Sequence, residues 1–180
     1  MTSQIIQFPP LDEFNQWVNF WYYNVGMNVI PTNAEKKLPI VKWSQYQNES
    51  IAEELLTQWI HEERFKNGIG VITGKIWRGR HADKYLTAVD LDNKLAIDEF
   101  SNCGGTKVRW QDITFTETRD GKDKLHLYFI TYVQIPDKQV EYEDLRAVTQ
   151  YRSSTVYLFC KWSTYFTYAL SNNEIWFCFS

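Results

Sequence analysis

Two aspartates one residue apart, Asp90 and Asp92, close the apolar run "YLTAVDLDN". In an extended chain side chains alternate faces, so Ala88, Asp90 and Asp92 share one face while Val89 and Leu91 point into a core. Two carboxylates on one face at a strand end can hold a hard divalent cation; without one they repel each other. A plainer reading has Asp92-Asn93 capping the following helix and Asp90 solvated. Spacing alone leaves both readings open. Further along, "KLHLYFIT" sets an apolar face of Leu125, Leu127 and Phe129 against a second face carrying Lys124, His126 and Tyr128. A histidine and a lysine so placed can donate to phosphate. A two-metal site needs a third acid, because two aspartates rarely neutralise two divalent ions. "VEYEDLRAVTQY" offers Glu141, Glu143 and Asp144, and in an extended strand Asp144 shares a face with Arg146.

These residues need elements to carry them. "PPLDEFNQWVNFWYYNVGMNVIPT" reads as an amphipathic helix with Phe14, Trp17, Val18 and Trp21 at helical spacing, closed by Gly26 and followed by a strand over Met27–Ile30. "NAEKKLPIVKWSQYQNES" is polar and Pro-interrupted, a loop. "NESIAEELLTQWIHEERF" pairs Ser50 as N-cap with Glu53 in a capping box and puts Ile51, Leu55, Leu56 and Trp59 on one face. "NGIGVITG", "KYLTAVDLDN", "KVRWQDITFTET" and "KLHLYFITYVQI" read as strands, the last two separated by the turn "RDGKDK". "NKLAIDEF" reads as a short helix. The order helix, strand, helix, strands, hairpin indicates an α+β or α/β fold, with no internal repeat.

Composition bounds the answer. At 180 residues, 44% hydrophobic and 17% aromatic, the chain forms one domain, or two small lobes around one cleft. No segment is apolar over the length that spans a bilayer, and "MTSQIIQFPP" lacks the basic and apolar regions of a secretory signal. Cys103, Cys160 and Cys178 are an odd number with no CxxC spacing, so neither a disulfide framework nor a structural zinc site is expected, and a reducing cytoplasm is. A net charge of −3 with pI near 5.6 argues against a protein that coats nucleic acid generally. A local basic strip remains: Lys66, Lys75, Arg78, Arg80 and Lys84 precede the aspartates. Of these, Arg78, Arg80 and Lys84 are the candidates for template or nucleotide contact, with solvated surface charge the plainer reading. No GxxxxGK[ST] occurs, so "GIGVITG" is not a P-loop and no fused ATPase or helicase is expected.

The ordered set "NVGMNVIPTNAEKKLPIVKW", "NGIGVITG", "AVDLDN", "KLHLYF" and "YEDLR" resembles the bifunctional primase-polymerase domain of the archaeo-eukaryotic primase superfamily, found in plasmid, viral and archaeal replication proteins. The resemblance runs from about Gly26 to Arg146. The family's acid-x-acid motif falls on Asp90 and Asp92, its small-x-His motif on Lys124-Leu125-His126, and its third acid on Asp144, with Arg146 completing Asp-x-Arg. The resemblance implies a primase-like catalytic core: a mixed or antiparallel sheet flanked by helices, with an N-terminal αβ lobe over about 1–80 and an RRM-like catalytic lobe over about 81–180. It implies a nucleotidyltransferase that starts or extends a primer on single-stranded DNA. Asp90, Asp92 and Asp144 would hold two Mg²⁺ or Mn²⁺ ions, and His126, Lys124 and Arg146 would bind the NTP or dNTP. A separate helicase partner follows from the same resemblance.

The chain departs from the family pattern in two places. Lys124 stands where a small polar residue is usual. After Arg146 the family's Gly-rich turn and Pro-Pro-Ser segment give way to "AVTQYRSSTVYLFCKWSTYFTYAL". The codons for Ser154-Thr155-Val156-Tyr157, read one nucleotide later, can spell Pro-Pro-Ser-Ile, so a compensated frameshift over about 148–162 stands beside chance coincidence. A chain ending at "EIWFCFS" is expected to be a standalone or truncated core. Two other functions stay open: a catalytically impaired nucleotide- or single-strand-binding relic, its Trp and Tyr residues supplying stacking surfaces, and a DxD glycosyltransferase acting on a nucleotide-sugar.

Overall fold

The computed structural model describes residues 9, 13–102, 107, 109, 114–119, 124–136, 138–142, 147–152, 156–159 and 164–167. They fall into two compact units, one built from 13–85 with 156–159 and the other from 86–152 with 164–167.

The first unit opens with α1, Phe14–Asn19, which widens into a π-helical turn over Phe20–Val25. Gly26 ends it in the left-handed region (φ 94°), where its N–H and that of Met27 both donate to the Trp21 carbonyl, at 3.0 and 2.9 Å. The apolar stripe is core: Trp17, Val18, Phe20, Trp21 and Tyr22 are buried. Four strands follow: β1 Asn28–Asn33, β2 Leu38–Pro39, β3 Ile69–Ile72 and β4 Gly74–Lys75. The segment expected as a loop thus contains β2 and a 3₁₀ turn, Ser44–Gln47. The sheet order is β10-β3-β1-β2, antiparallel throughout, with β10 (Val156–Phe159) arriving from far along the chain to pair Leu158 with Gly70.

The second helix, α2, spans Glu53–His61 and buries Leu56 and Trp59. Its start differs from the expected capping box. Ala52 is the N-cap, and no side chain caps the helix. Ser50 lies two residues too early, and its hydroxyl instead accepts from Arg78 Nη2 at 2.5 Å. A long-range donor has taken the oxygen that a local cap would use.

The second unit is built around β5 Tyr85–Leu91, α3 Lys94–Ser101, β6 Phe115–Arg119, β7 Leu125–Thr131, β8 Lys138–Tyr142, β9 Ala147–Arg152 and β11 Thr164–Thr167. Its sheet runs β11-β6-β7-β5-β9-β8. Because β5 lies beside β7 and not beside β6, the chain must cross over through α3, the split β-α-β arrangement of the RRM-like half. One face of β5 and β7 packs with α3 into a core of Val89, Leu91, Ala96, Leu125, Leu127 and Phe129. The alternation expected for β5 and β7 therefore holds on that face. On the opposite face Ala88, Tyr128 and His126 are buried as well, and solvent reaches only its end, at Asp90, Asp92 and Lys124. All seven residues of β7 are buried, and both strands are interior to the sheet.

Candidate functional site

Asp90 is the sixth of seven residues in β5 and Asp92 the first beyond its end. The strand stops there because Asn93 turns the chain into α3: its side-chain oxygen accepts from the Ala96 N–H at 2.9 Å. The cap is therefore Asn93, and both aspartates are released for other work. On the neighbouring β7, His126 is the second residue, and Lys124 immediately precedes the strand.

Adjacency of β5 and β7 brings these four side chains together in pairs. His126 Nε2 lies 3.1 Å from Asp90 Oδ1, the two side chains 11% and 23% exposed. Lys124 Nζ lies 2.5 Å from Asp92 Oδ1, at 39% and 31%. The exposures order the site. Asp90 with His126 forms an inner pair in low dielectric, and Asp92 with Lys124 an outer pair reached by solvent. Lys124 neutralises the Asp92 carboxylate, while Asp90 Oδ1 is buried beside His126 and accepts no hydrogen bond from it.

Hard oxygen donors at a strand end are the right chemistry for Mg²⁺ or Mn²⁺. They supply part of a cage and not a whole one: among the described residues no group of three or more His, Cys, Asp or Glu side chains could enclose a metal. Asp144 and Arg146 lie outside the described residues, as does Glu143. Glu141 belongs to β8, two strands from β5, at register with Val148 of β9.

The basic strip belongs to the first unit and divides by environment. Arg78 is not a solvated charge. Its Nη1 donates to the carbonyls of Met27 (3.0 Å) and Tyr22 (3.4 Å), and its Nη2 to Ser50 Oγ (2.5 Å), Asn28 Oδ1 (3.3 Å) and the Ile51 carbonyl (3.4 Å). The guanidinium also stacks 3.6 Å from the Tyr22 ring centroid. Burial lowers its pKa from the usual arginine value, with Tyr22, Tyr23 and Glu53 opposing that shift. Asn28 completes the junction: fully buried, it donates to the carbonyls of Tyr46 and Glu49, both at 2.7 Å, and accepts from the Ile51 N–H at 2.9 Å. This junction was not legible in advance, although a buried-strand asparagine in "MNVI" is the signal that marks it. Lys75 pairs with Asp83 at 3.1 Å and lies over the Trp77 ring, while Arg80 is exposed and donates to His81 Nε2 at 3.0 Å.

A sequence model of the family described as bifunctional DNA primase/polymerase, N-terminal, matches residues 19–157, which is 139 of the 180. A search among curated proteins found no match. No helix among the described residues is long and apolar enough to cross a membrane.

Proposed function

The chain belongs to the bifunctional DNA primase/polymerase N-terminal family, and from that membership we propose that it is a nucleotidyltransferase acting on a single-stranded DNA template. Its substrates on this reading are NTPs or dNTPs, joined to a primer 3′-hydroxyl or to a first nucleotide, with a separate helicase opening the template in the cytoplasm. The observation that carries the proposal is the pairing of Asp90 with His126, 3.1 Å apart on adjacent strands of one sheet, with Asp92 at the end of the same strand.

Asp90 and Asp92 would hold Mg²⁺ or Mn²⁺, with Asp144 as the third acid by motif order. Such ions, when bound, stabilise phosphoryl oxygens and promote deprotonation of the attacking hydroxyl. The protein's own groups do the positioning. Asp90 projects from the interior of β5, so its carboxylate is fixed by the sheet and not by a loop. His126 Nε2 stands 3.1 Å from Asp90 Oδ1, from where the imidazole can donate to a triphosphate oxygen when nucleotide enters. Arg146 would add a guanidinium suited to bidentate phosphate binding. Lys124 can assist the triphosphate only by leaving Asp92.

The test is a primer-extension and dinucleotide-synthesis assay with Mn²⁺ or Mg²⁺, run beside an Asp90→Ala/Asp92→Ala double variant. Metal-dependent incorporation abolished in the variant is the expected result. Template binding without incorporation would point to a relic that binds and does not polymerise. Failure to bind either NTP or single-stranded DNA would reject both.

A further inference from the structure

Asp92 and Lys124 form the shortest contact in the site, and it joins an acid expected to bind metal to a cation that metal must meet. Asp92 follows the last residue of β5 and Lys124 precedes the first of β7, so two neighbouring strands present the groups side by side. The ammonium stands 2.5 Å from Oδ1 and therefore occupies lone pairs that an ion would use. Asp90 faces the His126 imidazole instead, at 3.1 Å.

We propose that Lys124 is a tethered counter-ion of Asp92, balancing the outer carboxylate while no metal is bound and competing with a divalent ion for it. This rests on the reading of Asp92 as a metal ligand. A divalent ion arriving at Asp92 has to displace the ammonium and then remain close to it. Breaking a half-exposed pair is worth up to about fivefold in a binding constant. Repulsion between the ion and the nearby ammonium, eased by the freedom of the lysine stem to swing into water, brings the combined handicap to about tenfold. The chain thus loads metal more weakly than its two carboxylates alone would.

The test is direct Mn²⁺ binding, read from the loss of the free aqueous Mn²⁺ paramagnetic resonance signal, on the full 180-residue chain. Four proteins are compared: wild type, Lys124→Ser, Lys124→Gln and Lys124→Ser/Asp92→Asn. A thermal melt checks that each is folded, and two different neutral replacements guard against one of them failing. The expected result is Mn²⁺ affinity about tenfold higher in Lys124→Ser and Lys124→Gln, with the gain lost when Asp92 is also neutralised. Equal affinity in wild type and both single variants would overturn the counter-ion role and leave Asp92 as a ligand. Weaker binding in both would overturn it too, by making Lys124 a support of the site. Absence of Mn²⁺ binding in all four would overturn this proposal together with the metal reading beneath it.

Discussion

Removing Arg78 tests whether the basic strip holds the fold or a ligand. The residue makes two short hydrogen bonds, to Ser50 Oγ at 2.5 Å and the Met27 carbonyl at 3.0 Å, and three longer ones at 3.3–3.4 Å. Hydrogen bonds from a charged donor contribute about 1.5–3 kcal/mol each, so the short pair alone is worth about 3–6 kcal/mol. Stacking on Tyr22 adds about 1–2 kcal/mol. Against this stands the desolvation of a half-buried guanidinium whose five hydrogen bonds all go to neutral oxygens, a penalty of several kcal/mol that alanine would relieve. The net expectation for Arg78→Ala is a loss of about 3 kcal/mol, or roughly 6–12 °C in Tm for a chain of this size. Arg78→Lys should lose about 2 kcal/mol, because one ammonium cannot reach both the Met27 and Ser50 sides that the planar fork bridges. Urea denaturation of wild type and both variants measures this, beside single-stranded DNA binding at a temperature where all are folded. Arg78→Lys within about 0.5 kcal/mol of wild type would refute the reasoning. So would weakened DNA binding at unchanged stability, which would make Arg78 a template contact.

Two further perturbations probe the same unit. Gly26→Ala should destabilise by more than about 3 kcal/mol or prevent soluble expression, since φ is 94° and a Cβ would stand 2.1 Å from the Arg78 carbonyl oxygen; denaturation midpoints decide it, and a near-neutral variant would contradict the close approach. His81 has its pKa lowered from 6.5 to about 4, chiefly by burial and then by Arg80 and Lys84. The unfolded chain therefore binds the extra proton first, so the neutral ring's contribution is fully present above pH 6.5 and is lost as pH falls towards about 4. At about pH 5 the loss should be roughly 1 kcal/mol, allowing for solvent access to the part-exposed ring. His81→Gln should remove that part of the slope in stability measured between about pH 7 and pH 5, and an unchanged slope would assign it elsewhere.

The residues that the sequence could place are those whose partners are near in the chain. Gly26 ends the first helical segment, Asn93 caps α3, and Val89 and Leu91 point into the core while Asp90 does not. Each follows from a local rule, either a left-handed residue, a side-chain oxygen three residues before an N–H, or the two-residue period of a strand. The acid pair and its histidine were legible as a motif for the same reason, since each lies on an element with a clear period.

What the tertiary structure decided is how those elements meet. Ser50 and Glu53 had the spacing of a capping box, yet Ser50 serves Arg78, a residue 28 positions away. Arg78 itself read as surface charge, because its Met27 and Tyr22 partners lie more than 50 residues upstream. Lys124 read as a phosphate donor, and only the neighbouring of β5 and β7 set it against Asp92, 32 residues earlier. Local backbone preference and hydrophobic period act over a few residues and so are written in any short window of sequence. Which cation meets which carboxylate depends on strand order, which is settled by the burial of whole faces and leaves no mark near either residue.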